Sequence, residues 1–484
     1  MHDEERSAPT APGAAPLAGL GIAAAAAAIR NGDISSEAYT TALIQRARAY
    51  ADLNAFITID EAAALAAARE ADQARATGAT APLLGVPLAI KDSYLTRGLR
   101  TTLGVENLRS FVPDEDAEVV SALKAAGGIV FGKNNLVEMS YGLTGHNGAY
   151  GQAKNPHDRD RITGGSSSGA GASVAARIVP AALGGDTVGS IRVPASLCGV
   201  VGFKPTTGRW SGNGVAPISH TLDTTGVLAR HVEDVALIDR IVTKEADTAS
   251  RPSDLKGVRF AYAPRHYLEV IEPEIEAHFR DTVRRLRDAG AEIVEVDLGD
   301  GFSSLADTLT WGLFFRETMA AVSEFLDRHQ IPTSFDDIHA ALKPELRDAW
   351  THFVVPSGAG YMSQDSYEAA LSVDRRELQR RFDDTFRRSG AQALIFPTTP
   401  STAPLIEHQL KFAIAGQEVS YLALARNTVP ASGAGLPGIS LPTGLSSNGL
   451  PIGLEMDGAP GRDRRLLDLA RRVEAAVGAH ASPV

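Results

Sequence analysis

The sequence predicts an α/β fold, in which buried strands alternate with amphipathic helices around a layered core. Three observations carry that prediction. Short apolar runs recur at 83–92, 129–131, 258–264, 292–297 and 393–400, each too brief for a stable helix. Helical stripes separate them: Val119, Val120 and Leu123 share one face of 116–126, and Ile275, Phe279, Val283 and Leu286 share a later one. Gly127-Gly128 and Gly290 stop those stripes just before the chain resumes as a strand.

Taken in order, residues 1–15 are rich in Pro and Ala and are expected to be disordered. Gly21–Ile29, GIAAAAAAI, imitates the apolar core of a signal peptide, but the leader before it is more acidic than basic. Alanine is the best helix former, so a helix ending near Asn31-Gly32 is expected instead. Helical sequence continues to about residue 77, broken near Asp52–Ile59. LLGVPLAIKD (83–92) then reads as a buried strand ending in a lysine and an aspartate. The stretch 144–228 is dense in Gly, Ser, Thr and Pro, and loops of that length inside a domain tend to be functional. Residues 303–390 form a helical excursion whose charges read as a solvated face. Two more apolar runs, GLPGISLP (435–442) and LPIGLEMDG (450–458), precede a closing helix. No repeat period and no clean linker divides the chain, so residues 16–484 are expected to form a single domain.

Composition narrows the function. The 484 residues are 44% apolar and 22% charged, the balance of an ordinary soluble enzyme. Net charge is −11 with no basic cluster, so no nucleic-acid partner is expected. No stretch approaches the length of a membrane span, and no membrane association is expected. The single cysteine, Cys198, lies in an apolar run and reads as a small buried hydrophobe; a reducing, cytoplasmic setting fits it. A homodimer is compatible with the sequence.

The stretch with most chemical promise is GGDTVGSIRVP (184–194). Its glycine spacing matches a P-loop, but Ser190 stands where the phosphate-binding lysine belongs. It also fails the G-x-S-x-G nucleophile pattern. The histidines are scattered without metal-ligand spacing, so neither a metal nor a cofactor is expected. His146 and His220, within the glycine-rich region, read as loop hydrogen-bonders. If Ser190 is a nucleophile, a base other than histidine must take its proton. Lysine can serve when burial keeps it neutral. Among nine lysines, Lys91, Lys133 and Lys204 end apolar runs, and the residues alone do not choose between them. A second hydroxyl cluster, GGSSSG (164–169), places Ser166 24 residues before Ser190.

GGSSSG, GGDTVGSIRVPAS and CGVVGFKPT, in that order and spacing, resemble the amidase signature family of serine amidohydrolases. LLGVPLAIKD resembles the segment carrying that family's lysine, and the likeness runs from about residue 35 to 475. It implies a central mixed, twisted sheet covered by helices on both faces, with the catalytic core at about 80–240. It also implies a triad of Ser190 as nucleophile, Ser166 as bridging serine after a cis Gly165–Ser166 peptide, and Lys91 as base. Backbone N–H groups of Thr187, Val188, Gly189 and Ser190 would hold the oxyanion. Asp186 and Arg192 are expected to form a structural ion pair. The sequence departs from the family pattern at Val188, where a glycine is usual, and a β-branched residue resists positive φ. Within the family the likeness is greatest to indoleacetamide and mandelamide hydrolases, implying a small aryl or arylalkyl primary amide as substrate. Tyr141, Gly142 and Thr144 are then candidates for the acyl pocket. Two alternatives accompany this reading: the amidase subunit of a tRNA-dependent amidotransferase, and a non-catalytic ligand-binding relative.

Overall fold

Eleven strands make one mixed sheet in this structure, a computed structural model that describes residues 17–246 and 254–478. Segment 1–15, for which disorder is expected, lies outside them. In chain order the strands are Phe56–Ile59 (β1), Pro87–Lys91 (β2), Ile129–Asn134 (β3), Ala181–Asp186 (β4), Val201–Lys204 (β5) and Thr224–Ala229 (β6). Arg259–Tyr262 (β7), Glu292–Glu295 (β8), Ala393–Pro397 (β9), Gly438–Leu445 (β10) and Pro451–Asp457 (β11) complete them. Their order across the sheet is β1-β3-β2-β4-β6-β5-β10-β11-β9-β7-β8. β2 runs parallel to both β3 and β4, and β7 to β8 and β9; the other pairings are antiparallel.

The local rules hold in detail. Helix Glu118–Ala125 buries Val119, Val120 and Leu123, and Gly127 turns the chain at φ 89° into β3. Helix Pro273–Asp288 has proline in its first turn and buries Ile275, Phe279, Val283 and Leu286. The alanine run forms helix Ile22–Asn31, closed by Gly32 in the left-handed region. Two strands are shorter than their apolar runs suggest. In LLGVPLAIKD the ladder begins only at Pro87, because Gly85 turns at φ 75°. In VRFAYAP, Pro264 starts a short helix, since proline offers no N–H to a ladder.

The excursion consists of helices Phe302–Arg328, Phe335–Ala341 and Pro344–Phe353, then Gln364–Ala369, which continues through a wide turn into Arg375–Ser389. One apolar core packs the sheet against helices that include Ile22–Asn31, Val232–Thr243 and Asp463–Val477. A second gathers around Phe302–Arg328 and reaches Tyr141 and Val188. That second core positions the site.

Candidate active site

β4 ends in Gly184-Gly185-Asp186, and helix Arg192–Cys198 carries the chain away again. Between them the loop is closed by its own ends. Asp186 accepts from Arg192 Nε and Nη2 at 3.0 Å each, and from the N–H groups of Ile191 (3.1 Å) and Arg192 (3.4 Å). Arg192 also donates to Ser432 Oγ at 2.8 Å and Thr428 O at 3.2 Å. All of this is buried, so the pair braces the loop and is removed from solvent. The unusual backbone falls on Gly189, at φ 139°, and Val188 keeps an ordinary one. A Cβ on Gly189 would collide with Thr428 Oγ1, so glycine is needed there. Thr428 Oγ1 donates to Val188 O at 2.6 Å, and the Val188 side chain is buried. Among the described residues, none of the amides of Thr187, Val188, Gly189 and Ser190 has a hydrogen-bond acceptor.

Because β2 and β4 run parallel as neighbours, their carboxyl ends lie side by side. Lys91, last residue of β2, therefore meets the loop that follows β4. Its Nζ donates to Ser166 Oγ at 2.8 Å. The Gly165–Ser166 peptide is cis. Ser167 N donates to Ser190 O at 3.2 Å, which ties the two serine loops together. Ser190 Oγ makes no hydrogen bond among the described residues, and Ser190 lines a cavity.

Burial does not distinguish the three lysines, since all are enclosed. It lowers Lys91 to about 7, against the opposing pull of Asp186 and Asp223. It lowers Lys133 to about 8 with Asp92 opposing, and Lys204 to about 8, helped by Arg192. Contacts do distinguish them. Lys133 donates to Tyr94 O and Thr101 Oγ1 at 2.6 Å each and lies 3.3 Å from Asp92. Lys204 donates to Pro205 O at 3.0 Å. Cys198 is buried against Thr163 O, and burial pushes its thiol well up.

Ser190 and Val188 open on an apolar cavity of about 280 Å³. Trp311, Phe314 and Phe315 of helix Phe302–Arg328 line it, with Phe353 and Tyr421. Tyr141, Gly142 and Thr144 all lie on its wall. Tyr141 is also core: it packs on Phe314 at 4.5 Å and shares a 2.8 Å hydrogen bond with Thr318 Oγ1. His146 lies at the same cavity, 3.4 Å from Lys343 Nζ, and His220 pairs with Glu324 at 3.3 Å; neither touches the serines. Among the described residues no group of three His, Cys, Asp or Glu could hold a metal ion. Nor is any helix there long and apolar enough to cross a membrane.

The family profile described as Amidase matches residues 38–467. The chain belongs to the amidase family. It is 36% identical to a mandelamide hydrolase of Pseudomonas putida, over 96% of this chain and 92% of that one. An indoleacetamide hydrolase of Allorhizobium ampelinum is 32% identical over 92% and 96%. A glutamyl-tRNA(Gln) amidotransferase subunit of Roseiflexus castenholzii is 35% identical over 93% and 94%. The solved peptide amidase of Stenotrophomonas maltophilia superposes with a TM-score of 0.80 at 28% identity, over 97% of this chain and 99% of that one. The amidase is thus a hydrolase of α/β class acting on amide C–N bonds.

Several site residues escape sequence reasoning. Trp311, Phe314 and Phe315 lie on an ordinary amphipathic helix, where aromatic residues read as core. Thr428 and Asp223 carry no motif, yet Thr428 holds Val188 O and Asp223 accepts from Thr187 Oγ1 at 2.7 Å. Only the fold brings them to the loop.

Proposed function

We propose that this amidase converts small aryl or arylalkyl primary amides to carboxylate and ammonia through Lys91, Ser166 and Ser190. One observation carries the reading: the 2.8 Å Lys91–Ser166 contact stands beside a loop of four unpaired amides that opens on an aromatic cavity. Neutral Lys91 draws a proton through Ser166, and Ser190 Oγ attacks the amide carbon. The oxyanion takes hydrogen bonds from the amides of Thr187–Ser190, donors that are fixed before the reaction begins. The relayed proton goes to the leaving nitrogen, ammonia departs, and water hydrolyses the acyl-enzyme. Tyr141, Gly142 and Thr144 contribute the cavity's inner wall, against which the aryl group packs. The hydrolases named above, whose names specify aromatic amides, support the substrate class. The lone buried thiol supports a cytoplasmic setting. An amidotransferase role is less favoured, because a chain of net charge −11 without a basic cluster offers little to tRNA.

Ammonia release from phenylacetamide, mandelamide, benzamide and butyramide tests the substrate. Arylalkyl amides should exceed butyramide in kcat/KM by about 10-fold or more, the discrimination an apolar pocket supplies. Equal rates on butyramide would refute the aryl pocket.

A further inference from the structure

Helix Arg192–Cys198 packs on one face of β11, and the residues of that face decide what Arg192 meets. Gly453, Glu455 and Asp457 lie two apart on the strand and so share a face. A Cβ on Gly453 would come within 2.6 Å of Ser196 Oγ, which leaves Glu455 and Asp457 beside the start of the helix. Glycine at 438, in the neighbouring β10, makes room for them. A Cβ there would lie 2.7 Å from Asp457 Oδ1, 2.8 Å from Glu455 Oε1 and 3.2 Å from Arg192 Cδ. Three charged side chains thus converge on one point, and all three are fully buried.

Their hydrogen bonds are incomplete. Glu455 Oε1 accepts from Arg192 Nη1 at 3.4 Å. Glu455 Oε2 and both carboxyl oxygens of Asp457 have no donor among the described residues. Two ionised carboxylates in that state would leave buried charge without compensation. A proton on Oε2 removes the difficulty, because it turns an unpartnered acceptor into a donor for Asp457, which lies within its reach. The surrounding charges agree. Asp186 faces the pair through Arg192, and Lys204 of β5 faces it across Gly438. Tyr267 presents a buried, uncharged hydroxyl, and Asp463 is occupied by Thr206 N and Oγ1 at 2.7 and 2.6 Å. Arg192 and Lys204 then oppose Asp186 and a single further anion. Burial pushes both carboxyls above the usual carboxylate range, Glu455 furthest.

We propose that Glu455 and Asp457 hold one proton between them and act as a positioning pair, in which uncharged Glu455 supports Arg192 and so keeps the loop Thr187–Ser190 aimed. An ionised Glu455 would compete with Asp186 for the guanidinium, and the Asp186–Arg192 contacts are what close that loop. The inference rests on the triad reading above, since the same loop is to receive the oxyanion.

Glu455→Gln tests it, because an amide reproduces the protonated acid: its oxygen accepts from Arg192 and its N–H donates to Asp457. At about pH 8, where an ordinary carboxyl is ionised, the full-length enzyme should show the infrared C=O band of a protonated carboxylic acid, and Glu455→Gln should remove it. With phenylacetamide, Glu455→Gln should keep kcat near the wild-type value. Glu455→Leu should lower kcat by about 10-fold or more with little change in KM, the effect of a misaimed loop beside an intact acyl cavity. A spectrum in which Glu455→Gln removes no such band overturns the proton assignment. A kcat lowered as far by Gln as by Leu, or lowered by neither, overturns the positioning role. Should Glu455→Leu not fold, Glu455→Gln decides alone: wild-type kcat with the band lost supports the proposal, and a fall of about 10-fold or more overturns it. A wild-type enzyme that releases phenylacetate from no phenylacetamide overturns the underlying function instead.

Discussion

Lys91, Lys133 and Lys204 are equally buried, and only their partners separate the proposed base from the other two lysines. Lys91 faces Ser166, and burial brings it to about 7. A base works deprotonated, so kcat/KM should rise with pH through about 7 and level off above it. Asp223, raised by burial to about 6, adds a more acidic step to that limb. A profile flat from pH 5 to 8 would contradict the assignment. Lys91→Ala should lower kcat by about 10²–10⁴-fold, the usual worth of a positioned base. Lys133→Ala should act on stability instead. It leaves buried Asp92 without its cation, an expected loss of about 3–5 kcal/mol in denaturant unfolding. Nothing in the residue pattern distinguishes these lysines, because each ends an apolar run. The likeness of LLGVPLAIKD to the family's lysine segment carried that choice.

At the scale of elements, the loop after β4 and helix Phe302–Arg328 divide the work. The loop aims four amides, and its one left-handed residue is Gly189. Gly189→Ala meets both positive φ and Thr428 Oγ1, so about 1–3 kcal/mol of strain should turn the amides and lower kcat by about 100-fold or more. Wild-type kcat would show that the amides take no part. The valine at 188 proves compatible with the turn because the strained backbone lies one residue later. The helix supplies aromatic wall. Phe314→Ala should raise KM for arylalkyl amides more than for butyramide, at a stability cost of about 3–5 kcal/mol by thermal unfolding. An equal rise for both would assign Phe314 to packing alone. Periodicity made this helix readable as helix, but an aromatic facing a cavity and one facing the core look the same in sequence.

Across the whole molecule, the alternation of strand and stripe was readable because each strand and its helix are neighbours in the chain. The order of strands was not, since β1 inserts beside β3 and β10 beside β5 through contacts far apart in sequence. The site inherits that division. Its serines share one glycine-rich region, whereas its aromatic wall and Thr428 arrive from segments more than a hundred residues away. The central claim, that Ser190 is a nucleophile activated through Lys91 beside an aromatic cavity, is met most directly by covalent labelling. Enzyme treated with benzylsulfonyl fluoride, quenched and digested, should carry the adduct on the peptide containing Ser190. Lys91→Ala should slow that labelling by about 100-fold or more. An adduct on another residue, or labelling of Ser190 at an unchanged rate in Lys91→Ala, would contradict the account.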